Sequence, residues 1–180
     1  MRLNVVSDSI EGPWYEGGLQ FTCTQCGNCC TGGPGYVWAS DVEIRRLAEY
    51  LKLSVKEVVE QFCRRIDGRI SFTERRNQGN YDCIFLKEEK VERPASNGTD
   101  EKIIHTKRMC TVYPVRPLQC RTWPFWPELL SSLESWNRAA RRCPGMNVGR
   151  KYSLPQITEI RDAKDWPASP PTSATTAKVG

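Results

Sequence analysis

The sequence predicts an α+β domain in which two short helices and several short strands are joined by irregular stretches. Three observations support this class. Two segments carry a capping box followed by apolar residues at helical spacing. Two other segments are short apolar runs of strand length, bounded by turn residues. Much of the rest is rich in glycine, proline and cysteine, and glycine and proline interrupt regular elements. The length of 180 residues suits one domain.

Two capping boxes predict a helical hairpin over residues 41–65. The first helix follows Ser40, with Glu43 three residues later, and the second follows Ser54, with Glu57 in the same relation. Each helix then shows one apolar stripe. The first stripe comprises Ile44, Leu47, Ala48 and Leu51. The second comprises Val55, Val58, Val59, Phe62 and Ile66.

Apolar runs predict short strands elsewhere in the chain. Residues 19–24 are expected to be extended, and residues 68–74 form a strand. Residues 83–86 form a short buried strand. Residues 87–108 are dense in charge, so we expect a solvent-exposed hairpin or loop without a functional role.

The remaining segments are less regular. Residues 1–18 are expected to be irregular, and residues 110–127, rich in proline and aromatic residues, compact but irregular. Residues 128–142 are expected to form one helix. Residues 153–180 are expected to be an extended or disordered tail, because Pro, Ser, Thr and Ala near the end cannot bury enough apolar area to offset the entropy of ordering.

Bulk composition excludes several classes of protein. Hydrophobic residues make up 39% and charged residues 26%, which is typical of a soluble globular chain. A membrane helix needs about 18 consecutive apolar residues, and the sequence has none. The first residues lack the apolar run of a signal peptide, so we expect a cytoplasmic protein. The net charge of +5 is too small to indicate a nucleic-acid partner.

Nine cysteines are the strongest signal in the composition. A disulfide framework is one interpretation, but the odd count, the missing signal peptide and the tight spacing of CTQCGNCC at 23–30 oppose it. Clustered cysteines of a cytosolic protein bind metal or carry out redox chemistry more often. We therefore expect a domain organised by metal.

The spacing of Cys23, Cys26 and Cys29 allows three thiolates to converge on one centre. Zinc takes four such ligands in a tetrahedron. A ferredoxin-type cluster uses the same run together with a remote cysteine followed by proline, for which Cys143 is the candidate. Cys30 directly follows Cys29, and because neighbouring side chains diverge we expect Cys30 to serve a second centre.

Later cysteines complete the candidate ligand set, although each taken alone could be a buried core thiol. Eight thiolates are enough for two four-cysteine centres. The candidate metal ligands are Cys23, Cys26, Cys29, Cys30, Cys83, Cys110, Cys120 and Cys143. The ninth, Cys63, lies on the apolar stripe of the second helix and is expected to be a buried thiol that binds no metal.

Arg116 and Arg121 flank Cys120 and are candidate cofactor-contacting residues. Their guanidinium groups would offset the charge of buried thiolates, whereas the alternative is ordinary surface ion pairs. The only histidine, His105, lies in the charged segment and is expected to be solvated. This argues against histidine-ligated zinc and against a histidine-activated cysteine nucleophile.

In combination, these segments resemble the CxxCxxCC family of YkgJ-like cysteine-cluster proteins. The matching motifs are CTQCGNCC at 23–30, CIFL at 83–86, CTVYPVRPLQCRTWPF at 110–125 and CPG at 143–145. The resemblance implies metal chelation, with zinc and iron–sulfur both proposed for the family. Flagellin lysine-N-methylases are distantly similar, but the chain is short and shows no glycine-rich turn for a methyl donor, so that activity is not inferred.

Together, these observations predict a single metal-organised domain at 19–152 that binds zinc or an iron–sulfur cluster, of which 4Fe-4S is the expected type. One hypothesis is a redox or iron–sulfur-dependent protein acting with another macromolecule. A second is a zinc-stabilised interaction module without catalysis. A third is thiol–disulfide exchange at Cys23 and Cys26, which lacks the usual βαβ context. The sequence identifies no substrate or partner.

Overall fold

The computed structural model describes residues 12–94 and 102–166. In chain order the regular elements are β1 (Leu19–Phe21), β2 (Trp38–Ala39), α1 (Asp41–Leu51), α2 (Val55–Phe62), β3 (Cys63–Ile66), β4 (Arg69–Phe72), β5 (Glu74–Asn77), β6 (Asn80–Cys83), β7 (Leu86–Pro94), β8 (Lys102–Cys110), α3 (Leu118–Arg121), α4 (Pro127–Leu130), α5 (Leu133–Ala140), β9 (Met146–Tyr152) and α6 (Leu154–Asp162). Short 3₁₀ turns occupy Asn28–Cys30 and Tyr113–Val115.

These elements confirm the predicted α+β class, and they fall into two compact units. Of the described residues, 12–24 and 124–163 belong to the terminal unit, and 25–94, 102–123 and 164–166 belong to the central unit. Within the described ranges, no helix has the length and apolar character needed to cross a membrane.

The terminal unit is built on an antiparallel pair of strands. β1 pairs with β9, with Leu19 opposite Tyr152 and Phe21 opposite Met146. Trp136 on α5 is almost fully buried, and its indole Nε1 donates to Asn147 Oδ1 at 2.7 Å. The buried apolar side chains of this unit include Tyr15, Phe21, Phe125, Leu130, Trp136 and Ile157.

In the central unit, the helical hairpin packs on a three-stranded sheet. Both predicted capping boxes are present at Ser40 and Ser54. The sheet has the order β2–β4–β3 with antiparallel neighbours. The core of this unit consists of Ile44, Leu47, Ala48, Val58, Ile70, Phe72, Phe85 and Val112.

Two further hairpins carry cysteines at their ends. β5 pairs with β6, placing Glu74 opposite Cys83, and β7 pairs with β8, placing Leu86 opposite Cys110. The second hairpin confirms the hairpin expected within 87–108. Each return strand ends on a cysteine, so strand pairing fixes where Cys83 and Cys110 lie.

Three predicted elements differ from the structure. α2 ends at Phe62 because Cys63 pairs with Phe72 in the sheet, so Ile66 belongs to β3 and not to the helix. The segment expected to be one strand at 83–86 contains the end of β6 at Cys83, a turn at 84–85 and the start of β7 at Leu86. The helix expected at 128–142 is two helices, because Ser132 accepts the backbone N–H of Ser135 at 3.1 Å and starts a new helix.

The predicted extended tail is wrong at its start. α6 occupies Leu154–Asp162, with a capping box between Ser153 and Gln156 and with Ile157 wholly buried. A local cap and one buried apolar residue therefore order this segment. The rest of the predicted tail at 167–180, the segment 1–11 and the side chain of His105 lie outside what the structure describes.

Candidate metal centre

The cysteine-rich loop folds into a tight turn in the central unit. Gly27 adopts a left-handed conformation with φ of 74°, and its carbonyl accepts the N–H of Cys30 at 2.9 Å. The sulfur atoms of Cys29 and Cys30 are 3.8 Å apart. A tetrahedral zinc site with Zn–S bonds of about 2.3 Å has ligand sulfurs separated by about 3.8 Å. The expectation that the two side chains diverge is therefore wrong, because one turn presents both.

Five thiols of the central unit are connected by overlapping electrostatic interactions and are here called the thiol cluster. Cys30 is influenced by Cys29, Cys120 and Cys83. Cys120 is influenced by Cys83, Cys29 and Cys110. The cluster thus joins the 3₁₀ turn, the ends of β6 and β8, and α3. Its members are Cys29, Cys30, Cys83, Cys110 and Cys120.

Neighbouring thiols and burial set the ionisation of the cluster. A hydrogen bond with Cys30 lowers the pKa of Cys29 to about 7 against the effect of burial, helped by the charge of Arg116. Burial raises the pKa of Cys83 to about 11 and the pKa of Cys120 well above its ordinary value. The same hydrogen bond, followed by burial, raises the pKa of Cys30. Most of these thiols therefore stay protonated at neutral pH unless a bound cation stabilises the thiolates.

The donor chemistry of the cluster suits a soft metal, although the thiols are not yet arranged around one point. Within residues 12–94 and 102–166, no three His, Cys, Asp or Glu side chains form a ready-made metal site. All nine cysteines lie in these ranges and are free thiols. Thiolates bind zinc and iron–sulfur clusters. The donor set therefore fits either group.

The two candidate arginines make different contacts. The guanidinium of Arg116 lies 3.7 Å from the ring centre of Tyr113, and its charge lowers the pKa of Cys29 and opposes the rise at Cys120. Arg121 donates to the Arg116 carbonyl at 3.0 Å. It also lies 3.6 Å from a carboxylate oxygen of Glu43, in an ion pair that is exposed on the arginine side and largely buried on the glutamate side. Only Arg116 is thus placed to offset thiolate charge by the contacts described.

A buried carboxylate holds the loop that follows Cys30. The hydroxyl of Thr31 donates to Asp82 Oδ1 at 2.5 Å, and Asn77 Nδ2 donates to Asp82 Oδ2 at 2.8 Å. Asp82 is 3% exposed and directly precedes Cys83. The Thr31 hydrogen bond therefore ties the residue after Cys30 to the residue before Cys83.

Charge and hydrogen bonding keep Asp82 ionised despite its burial. Burial raises the pKa of this carboxyl. The hydrogen bonds from Thr31 and Asn77 and the positive charges of Arg75 and Arg108 lower the pKa by more than burial raises it. The net pKa lies below the ordinary value. An ionised acceptor strengthens both hydrogen bonds.

The single turn of α3, which carries Cys120, is fixed by two polar side chains. Glu43 Oε1 accepts the backbone N–H of Leu118 at 2.6 Å, at the start of the turn. Gln119 Oε1 accepts the backbone N–H of Trp38 at 2.8 Å. A four-residue helix has little stability of its own, so these tertiary contacts determine where Cys120 lies.

The other cysteines are divided between the two units. Cys23 follows β1 and Cys143 precedes β9. They lie at the same end of this strand pair because the N–H of Thr22 donates to the Gly145 carbonyl at 3.0 Å. Both belong to the terminal unit, whereas Cys26 belongs to the central unit.

Cys63 packs against the same core as the candidate ligands Cys83 and Cys110, and the expectation that it binds no metal stays a prediction. It begins β3, packs against the core of the central unit, and has a pKa raised by burial to about 11. The expectation that it belongs to the second helix is wrong, but its apolar surroundings agree with a structural thiol.

Sequence reasoning overlooked the polar residues that hold the cluster. Asp82 directly precedes Cys83, and Gln119 directly precedes Cys120. Their position beside a cysteine motif is the signal that could have pointed to them, because partners such as Thr31 and Trp38 lie far away along the chain. The carboxylate of Glu43 does belong to a predicted capping box, but its contact with α3 was not foreseen.

Comparison with known proteins finds a family model and a relative that match this chain. Residues 22–144 match the family model CxxCxxCC, described as "Putative zinc- or iron-chelating domain". The chain is 32% identical over 140 residues to an uncharacterised protein of Methanocaldococcus jannaschii, covering 75% of this chain and 63% of that relative. The chain thus spans less than two thirds of the relative's length. No solved structure matches the chain.

Proposed function

Because the chain belongs to the CxxCxxCC family, we propose that its thiol cluster binds an iron–sulfur cluster through cysteine thiolates. The observation that carries this proposal is the gathering of five thiols from four separate elements of the central unit. Core packing alone explains a single cysteine such as Cys63, whereas interacting thiols from four elements supply the several soft ligands that a metal centre needs. When bound, an iron–sulfur cluster supplies one-electron chemistry.

The surrounding residues support thiolate ligation. The backbone N–H of Phe85 donates to the sulfur of Cys83 and favours its charged form. Arg116 places a positive charge near Cys29 and Cys120. A four-thiolate centre with zinc or with a 2+ iron–sulfur cube carries a net charge of about −2, and burying that charge without a partner would be costly. Arg116 therefore acts as the counter-charge of the proposed centre.

Zinc is the second candidate, and it would make the chain an interaction module without catalysis. The observation that favours it is the separation of 3.8 Å between the sulfurs of Cys29 and Cys30, which equals that of neighbouring ligands in a tetrahedral zinc site. A zinc ion would connect the loop, two hairpins and α3, and so stabilise a surface for another macromolecule.

Purification without oxygen distinguishes the two candidates. The iron–sulfur proposal predicts a brown protein with broad visible absorption, iron, and acid-labile sulfide in amounts equal to the iron. A colourless protein with stoichiometric zinc and no sulfide would overturn it and support the interaction module. A protein with neither metal would contradict both.

A further inference from the structure

Arg108 connects the charged hairpin to the cysteine loop. It lies on β8, two residues before Cys110, in the segment for which the sequence indicates no functional role. Its Nη1 donates to the side-chain oxygen of Asn28 at 3.1 Å. Its Nε lies 3.2 Å from a carboxylate oxygen of Glu88, which is its direct partner across the hairpin. Glu88 thus holds the Nε side of the guanidinium and leaves Nη1 to donate to Asn28 in the cysteine loop.

The stem of Arg108 also packs against the loop backbone. A Cβ added to Gly27 would lie 2.9 Å from Arg108 Cβ and 2.9 Å from Leu86 Cδ1. These distances show that the backbone at Gly27 rests directly on the base of the hairpin. The same residue closes the turn by accepting the N–H of Cys30.

We propose that Arg108 is a positioning residue for metal binding, which acts through Asn28 on the turn that presents Cys29 and Cys30. This inference rests on the function proposed above. Asn28 is the first residue of the 3₁₀ turn and Cys30 the last, so a contact at Asn28 restricts the orientation of both thiols. One strand thereby supplies both a cluster thiol, Cys110, and the side chain that holds the opposing loop. Residues that orient metal ligands in this way typically change metal affinity by about 10–100-fold when they are removed.

The test compares Arg108→Ala and Arg108→Lys with Lys107→Ala in the full chain. Lys107 is the exposed neighbour on the same strand and serves as the matched control. The readout is the rate at which a chelator withdraws the metal that the anaerobically purified protein holds. A second readout is the cobalt–thiolate charge-transfer band after Co²⁺ is added to the metal-free protein.

Arg108→Ala should release metal about tenfold faster or more, and its charge-transfer band should be weaker for each bound cobalt. Arg108→Lys should release metal at a rate between those of Arg108→Ala and the wild type. The planar guanidinium can contact Glu88 and Asn28 with different edges, whereas a lysine ammonium cannot hold both contacts in this geometry. Lys107→Ala should match the wild type. A lowered melting temperature of the metal-free protein, with an unchanged release rate and spectrum, would show a merely structural role and overturn the inference.

The remaining outcomes separate this inference from the proposed function. If the wild type holds no metal, both fail. If the wild type holds metal and Arg108→Ala releases it at the wild-type rate, only the inference fails. If Arg108→Ala does not fold, Asn28→Ala removes the loop half of the same contact. Faster release by that variant supports the inference, and wild-type release overturns it.

Discussion

The side-chain amide of Gln119 pairs with the backbone around Trp38 as a neighbouring strand would. Its oxygen accepts the N–H of Trp38 at 2.8 Å, and its nitrogen donates to the carbonyl of Tyr36 at 3.1 Å. β2 is an edge strand of its sheet, and Gln119 is 6% exposed. A buried amide satisfied on both sides has one orientation. Gln119 therefore fixes α3, and with it Cys120, against the sheet.

Gln119→Leu should destabilise the protein, because it removes the side-chain oxygen that accepts from the Trp38 N–H and the side-chain nitrogen that donates to the Tyr36 carbonyl. A buried polar group left unpaired costs about 1–3 kcal/mol. Urea unfolding measures the loss. Gln20→Leu, at an exposed position on β1, is the control and should lie within about 0.5 kcal/mol of the wild type. An equal and small effect in both variants would show that the Gln119 contacts carry no net stability.

Asp82→Asn should also destabilise the protein, because it replaces an ionised acceptor near Arg75 and Arg108 with a neutral amide. Asp82 accepts hydrogen bonds from both Thr31 and Asn77, and asparagine offers only one side-chain acceptor. We expect a loss of about 1–3 kcal/mol in urea unfolding of the metal-free protein. The exposed Asp165→Asn is the control. Wild-type stability of Asp82→Asn would contradict the described network.

Gly27→Ala should disturb the loop that presents Cys29 and Cys30. A non-glycine residue in the left-handed region costs about 1–2 kcal/mol, and the new methyl group would also press on Arg108 and Leu86. Gly33→Ala is the matched control, because a Cβ there meets nothing within 4 Å. The free energy of unfolding measured in urea and the metal content should both fall in Gly27→Ala and should stay at wild-type values in Gly33→Ala. Equal values for the two variants would refute this account of the loop.

Features encoded by neighbouring residues were predictable from the sequence. The starts of α1 and α2 depend on Ser40 with Glu43 and on Ser54 with Glu57, and both capping boxes are present. The end of α2 was not predictable in this way, because Cys63 leaves the helix to pair with Phe72 in the sheet. The end of α2 at Phe62 thus depends on a tertiary contact, and this contact outweighs the helical periodicity of the apolar residues.

The candidate site divides in the same way into local features, which the sequence predicts, and long-range contacts, which it does not. The motifs identified the cysteines, since their spacing is local. The grouping into a thiol cluster depends on strand register, which sets Cys83 opposite Glu74 and Cys110 opposite Leu86. The side chains that hold the cluster were missed because contacts such as Gln119 with Trp38 span most of the central unit along the chain. Such long-range pairing has no periodic signal in the sequence.

The central claim is that the thiol cluster binds metal, and the most direct test is the metal content of two cysteine variants. Cys120→Ala and Cys63→Ala remove the same chemical group from two thiols whose pKa values are both raised by burial. Only Cys120 belongs to the cluster. Elemental analysis after anaerobic purification should find the wild-type amount of metal per chain in Cys63→Ala. Cys120→Ala should lose metal and stability together, because metal-binding energy contributes to folding in such sites. Wild-type metal content in Cys120→Ala, or equal loss in both variants, would contradict the account.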